Sequence, residues 1–160
     1  MMVTMLVGPV GCGKTTLAQA MHGQRPEDAK TQTIELLDDL LDTPGEYLEH
    51  GRFNHALLLA SHEADAVLLL ESACDDEARV PPSFATMFTC PVLGVVTKID
   101  AATAEGIAAA RDRLAETGAH DVVEICALDG RGLDDLRHAL ARLDTTGLDT
   151  TGLDTTGEVA

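Results

Sequence analysis

Gly8-Pro9-Val10-Gly11-Cys12-Gly13-Lys14-Thr15 fits the pattern G-x-x-x-x-G-K-[S/T] without a gap. It follows directly on residues 2–7, a near-continuous apolar run that reads as a strand buried on both faces. Three glycines let the backbone wrap closely round a chain of phosphates. Successive N–H groups then point inward at the start of a helix whose dipole also favours anions. The Lys14 ammonium is placed for the β- and γ-phosphates and the Thr15 hydroxyl for Mg²⁺. Gly8, Pro9, Val10, Gly11, Cys12, Gly13, Lys14, Thr15 and Thr16 are the expected phosphate-binding residues. Cys12 is either a thiol whose pKa the helix N-terminus lowers or simply a small residue that the loop tolerates.

Outward from this loop, strands alternate with helices. Residues 15–21 read as a helix, 33–37 and 39–41 as short strands, and 51–62 as helical. A strand is expected at 64–71, a brief helical stretch from Pro81 to Phe88, and a strand at 91–97. The spacing of Ile107, Ala110 and Leu114 predicts a helix over 103–117, closed by Gly118. Residues 121–126 form the last expected strand, and Leu133, Leu136, Leu140 and Leu143 line a final helix. The alternation implies an α/β, three-layer P-loop NTPase fold, with a mostly parallel sheet and helices on both faces. Such a sheet binds its ligand at the carboxyl ends of its strands.

Three further segments fall at those ends. Asp42-Thr43-Pro44-Gly45 follows an apolar strand. There a carboxylate can hold Mg²⁺ through water while the Gly45 N–H faces a γ-phosphate. Thr97-Lys98-Ile99-Asp100 fits the [N/T]-K-x-D pattern of guanine recognition. Asp100 can accept hydrogen bonds from the N1–H and exocyclic amino group of guanine, with the Lys98 stem lying on the base. Adenine lacks both donors, and each unmet charged hydrogen bond costs about 1.5–3 kcal/mol. Cys126-Ala127-Leu128 stands where GTPases carry S-A-K or S-A-L, a loop whose backbone N–H meets the guanine carbonyl. The cysteine keeps that backbone donor and is expected to lose the hydroxyl that supports the loop. Lys14, Asp42, Gly45 and Glu46 are the expected catalytic residues. Glu46 occupies the position where fast hydrolysis uses a glutamine to orient water, so turnover should be slow. Arg52 or His55 can approach the γ-phosphate if their segment closes.

Charge and composition narrow the partners. Eleven Lys and Arg stand against 27 Asp and Glu in 160 residues, a formal net charge of −16. With no clustered basic run, neither a nucleic-acid backbone nor an anionic membrane surface is an expected partner. No window reaches the roughly 20 apolar residues of a membrane span, and the N-terminus does not read as a signal peptide. Cys12, Cys74, Cys90 and Cys126 lie far apart with no C-x-x-C pair, which argues against a zinc site or a disulfide framework. His50, His55 and His62 bring no third ligand into view. A reducing cytoplasm is the expected location. Leu143-Asp144-Thr145-Thr146-Gly147 repeats at 148–152 and again at 153–157. Such a tail buries too little apolar area to offset its ordering entropy, so the domain is expected to end at residue 143 and the tail to be disordered.

Gly8 to Thr15, Lys30-Thr31-Gln32-Thr33, Asp42-Thr43-Pro44-Gly45-Glu46-Tyr47 and Arg52-Phe53-Asn54-His55-Ala56 together resemble the EutP/PduV family of P-loop proteins from ethanolamine and propanediol utilisation, over residues 1–143. The resemblance implies a cytoplasmic protein of amine or diol catabolism, associated with a protein-shelled microcompartment or with pathway enzymes. It favours Thr31, over Thr33, as a further Mg²⁺ ligand beside Thr15 and Asp42. Three functions stay open: a Mg²⁺-dependent GTP-binding protein with slow hydrolysis, a kinase using ATP or GTP on a metabolite such as a carboxylate, and a non-catalytic interaction module. A monomer or weak dimer fits each.

Overall fold

The structure is a computed structural model that describes residues 2–23, 35–37 and 39–143. Its centre is a six-stranded sheet: β1 (Thr4–Val7), β2 (Glu35–Leu37), β3 (Leu40–Asp42), β4 (Ala66–Ser72), β5 (Val92–Thr97) and β6 (Asp121–Glu124). The spatial order is β2-β3-β1-β4-β5-β6. Five strands run parallel, and β2 pairs antiparallel with β3 at one edge. β1, β4 and β5 are buried along their whole length, which is why the sequence shows apolar runs there rather than alternation.

Helices cover both faces. Met5, Val7, Val67 and Leu69 pack with Leu48 of α2 (Gly45–Glu49), Leu57 of α3 (Asn54–Ser61), and Ala110 and Leu114 of α4 (Ala104–Glu116). Leu6, Leu68, Leu70 and Val95 point the other way. They meet Leu17 and Ala18 of α1 (Lys14–Met21), and Leu133, Leu136 and Leu140 of α5, residues 133–143. Successive strand residues thus divide between the two layers, as the pleat requires. Thr103 caps α4 by accepting from the Gly106 N–H at 3.1 Å, and Gly118 follows the helix at φ 91°. No helix among the described residues is long and apolar enough to cross a membrane.

Several expected elements shift: β4 is Ala66–Ser72 rather than 64–71, and β6 ends at Glu124 rather than 126. α1 begins at Lys14, and β3 ends on Asp42 itself. The expected 51–62 helix is a 3₁₀ turn (Gly51–Phe53) leading into α3. The Thr43-Pro44-Gly45 turn opens directly into α2, which the sequence reading missed. Thr31, Thr33 and the repeat tail lie outside the described residues.

The chain moves from β1 to one side of the sheet for β3 and to the other for β4, so the order reverses at β1. The register pairs Leu6 with Asp42, Val7 with Leu69, and Ser72 with Thr97. The segments singled out in the sequence therefore share one edge, around the loop that leaves β1.

Candidate nucleotide-binding site

The loop leaving β1 is shaped by its glycines. Gly11 and Gly13 sit at φ 80° and 100°, in the left-handed region where a side chain is strained. At Gly8, an added Cβ would lie 2.6 Å from the Cys12 sulfur and 2.9 Å from the Leu70 carbonyl oxygen. The Cys12 thiol is thus packed where a larger residue at Gly8 would intrude. Burial pushes this thiol up, outweighing the opposing pull of Lys14. Of the two readings of Cys12, that direction favours the small packed residue over a thiol lowered by the helix N-terminus. The N-cap residue of α1, Gly13, makes no side-chain cap bond, and N–H groups at such a helix start suit an anion. The Lys14 ammonium turns back across the loop and donates to the Gly8 carbonyl at 2.8 Å and the Pro9 carbonyl at 3.1 Å. With only 7% of its surface exposed, Lys14 is held at the centre of the loop.

Asp42 and Thr15 meet beside it. The Thr15 hydroxyl donates to Asp42 Oδ2 at 2.9 Å, and Asp42 is 1% exposed. Thr43, fully buried, donates its hydroxyl to the Leu6 carbonyl at 2.7 Å and fixes the turn after β3. Gly45 then packs on the phosphate loop: an added Cβ would stand 2.5 Å from Val10 Cα and 2.8 Å from the Pro9 carbonyl carbon. Only glycine lets α2 begin against the loop backbone. Glu46 belongs to the first turn of α2.

The end of β5 is bonded to the same loop from the opposite side. The Thr97 hydroxyl donates to the Cys12 carbonyl at 2.6 Å, and the Lys98 ammonium donates to the Gly11 carbonyl at 2.5 Å. Lys98 adopts φ 61°, a left-handed conformation uncommon outside glycine. That turn leaves Asp100 exposed in the short 3₁₀ segment Ile99–Ala101. The Ile99 N–H donates to the Ile125 carbonyl at 3.4 Å, which brings the Asp100 turn against the 126–128 loop. Burial is the main influence on the Cys126 thiol and pushes it up. Further bonds close the loop, from the Cys126 N–H to the Arg131 carbonyl and from the Gly130 N–H to the Cys126 carbonyl, both at 2.9 Å. Ala127 is half-buried, and Leu128 is 71% exposed.

The sequence reading passed over Asp129 and Arg131, an ion pair at 3.0 Å in this loop. Its signal was the glycine-flanked Asp129-Gly130-Arg131-Gly132 after the last strand, with Gly130 and Gly132 at φ 88° and 79°. It also passed over Glu71, fully buried at the end of β4 and bound to Arg113 of α4 at 2.8 Å. An acid inside an apolar run is easily taken for the end of the strand. Of the residues singled out in the sequence, 8–16, Asp42, Gly45, Thr97, Lys98, Asp100 and 126–128 gather along this one edge.

The family described as "Ethanolamine utilisation - propanediol utilisation" (PduV-EutP) matches residues 1–142. The propanediol utilization protein PduV of Citrobacter freundii is 39% identical over 132 residues, covering 82% of this chain and 88% of that protein. A protein of Escherichia coli K12 named probable acetate kinase EutP is 36% identical over 140 residues, covering 86% and 87%. Among solved structures, translation elongation factor SelB of Methanococcus maripaludis, in complex with the GTP analogue GppNHp, matches with a TM-score of 0.64 at 21% identity. The match covers 90% of this chain and 34% of that one, and it shows the shared fold. The chain belongs to the PduV-EutP family.

Proposed function

We propose that this member of the PduV-EutP family is a Mg²⁺-dependent GTP-binding protein with slow intrinsic hydrolysis, acting in ethanolamine or propanediol catabolism. The observation that carries the reading is the joining of the 97–100 segment to the phosphate loop, through Thr97 on the Cys12 carbonyl and Lys98 on the Gly11 carbonyl. A base-reading carboxylate, Asp100, is thereby tied to the loop that would hold the phosphates of the same ligand.

Each end has its own task. The amides of residues 9–15 and the Lys14 ammonium take the phosphates. Lys14 gives up its carbonyl partners for phosphate oxygens, a stronger charged pair. Thr15 and Asp42 offer hydroxyl and carboxylate oxygens, the donor chemistry of Mg²⁺, which takes few protein ligands and completes its shell with water and phosphate. Thr31 is a further ligand in this reading. Bound there, Mg²⁺ would neutralise charge on the β- and γ-phosphates. The Gly45 N–H faces the γ-phosphate, and Glu46 holds the attacking water less well than a glutamine would. The backbone of Cys126, Ala127 and Leu128 receives the guanine carbonyl, while Asp100 accepts from N1–H and the exocyclic amine. The protein works in the cytoplasm as a monomer or weak dimer beside a microcompartment or the pathway enzymes.

The test is the identity of the nucleotide carried by the freshly purified protein, released by denaturation and separated by chromatography. GDP or GTP is expected; adenine nucleotides alone would contradict the guanine reading. A second reading has support in the name of the Escherichia coli relative: transfer of the γ-phosphoryl to a small carboxylate. Mass spectrometry separates the two. Hydrolysis gives free phosphate whether or not acetate is present, whereas a kinase gives an acyl phosphate.

A further inference from the structure

In a chain with 27 acids and 11 bases, a guanidinium finds a carboxylate almost by default. Among the described residues Arg111 pairs with Glu124, Arg113 with Glu71, Arg131 with Asp129, Arg137 with Asp134 and Arg142 with Asp121, at 2.8–3.9 Å. Lys14 and Lys98 donate to carbonyls of the phosphate loop, and Arg79 is engaged as well. Arg52 differs. It is exposed, and among the described residues it has neither a carboxylate nor a carbonyl partner. Its guanidinium carbon rests 4.8 Å from the centre of the Phe53 ring. A ring face at an exposed site holds a cation by only about 0.5–1 kcal/mol and leaves all of its N–H donors uncommitted.

The perch leads back to the phosphate loop. Phe53 stacks flat on Tyr47, with ring centres 4.4 Å apart and planes 6° from parallel. His50 closes the Phe53 edge at 6.3 Å. Tyr47 is anchored by its N–H on the Pro44 carbonyl at 3.1 Å, two residues beyond Gly45, which touches Val10 of the loop. Two ring contacts and one short helix therefore connect the uncommitted guanidinium to the end of the loop where a third phosphate would sit. The chemistry there calls for positive charge. The transition state of phosphoryl transfer spreads negative charge over three oxygens, and the residue after Gly45 is an acid, Glu46, which adds to it.

We propose that Arg52 leaves the Phe53 ring to bind the terminal phosphoryl group of the triphosphate, as a catalytic residue supplied from within the chain; this rests on the GTP reading above. In the step it serves, water oxygen bonds to the γ-phosphorus as the bond to the β–γ bridging oxygen breaks. The electron pair stays on the GDP β-phosphate, and the water's protons leave with inorganic phosphate and solvent. Arg52 contributes charge and hydrogen bonds only.

Single-turnover cleavage of Mg²⁺-GTP by the full chain tests this, alongside GDP affinity and the thermal shift given by GDP with aluminium fluoride. Arg52→Ala is expected to slow cleavage by about tenfold or more, to keep GDP affinity within about twofold, and to lose the extra stabilisation by aluminium fluoride. Arg52→Lys should recover only part, because an ammonium lacks the planar fork. Unchanged cleavage in Arg52→Ala, or equal loss of GDP and GTP affinity, overturns the proposal while the GTP reading stands. A defect that appears only as a raised KM for added acetate also overturns it, by assigning Arg52 to an acceptor carboxylate. Failure of the wild-type chain to take up any triphosphate overturns the GTP reading itself, and the assignment of Arg52 with it.

Discussion

Asp100 is exposed at a turn that a left-handed Lys98 creates and that the Ile99 N–H ties to the Ile125 carbonyl at 3.4 Å. An acceptor so held is worth more than one on a freely rotating side chain, because the ordering entropy is met before the ligand arrives. Asp100→Asn replaces one of its acceptor oxygens with a donor that faces guanine's own donors. The expected loss of GDP affinity is about 1.5–3 kcal/mol, roughly ten- to a hundredfold, with ADP affinity unchanged, as calorimetric titration would measure. Equal losses for both bases would place Asp100 outside the base site. At this scale the sequence was most informative where the chemistry demands particular residue types: Gly8, Gly13, Lys14 and Thr15 in the loop, Asp42 and Gly45 after β3. It was less informative about how the loop after β6 closes, because spacing does not show the Cys126 N–H reaching the Arg131 carbonyl or the Gly130 N–H returning to the Cys126 carbonyl.

β4 and α4 are joined by a bond that no periodicity announces. Glu71 is fully buried, and Arg113 reaches its Oε1 at 2.8 Å while also donating to the Asp75 carbonyl at 3.1 Å. The Arg79 N–H adds a longer contact at 3.4 Å. The pair thus pins the chain leaving β4 to α4, beside the strand end that carries Ser72 opposite Thr97. Burial outweighs Arg113 and pushes the Glu71 carboxyl above its ordinary value of 4.5. The folded chain therefore holds this proton to higher pH than the unfolded chain does. The contribution to stability is full below the ordinary value and is lost as pH rises through the folded-state value. Urea unfolding of wild type and Glu71→Gln across that window should show the wild type losing stability relative to the variant as pH rises. Parallel profiles would mean that the carboxyl does not titrate differently in the two states. Element types were legible wherever a face is apolar for its full length, as in β1, β4, β5, α4 and α5. The 45–62 stretch was legible only in part: α2 was missed, and the expected 51–62 helix begins as a 3₁₀ turn whose Phe53 stacks on Tyr47 of α2.

For the whole molecule, the reversal of strand order at β1 decides where function resides. Apolar runs separated by amphipathic helices already imply a parallel sheet covered on both faces. They do not disclose the antiparallel β2 edge, which depends on the pairing of Glu35 with Asp42 and Leu37 with Leu40. Because β1, β3, β4 and β5 end together, the phosphate loop, the Asp42 turn and the Asp100 turn are braced by one rigid sheet. A single ligand spanning them would be bound by all three. The most direct measurement of that claim is calorimetric titration of the intact, nucleotide-stripped chain with GDP and with ADP, each in the presence of magnesium. The structure predicts saturable binding of GDP with ADP weaker by at least about tenfold, the equivalent of one unmet charged hydrogen bond. Equal affinity for the two, or no heat from either, would contradict it.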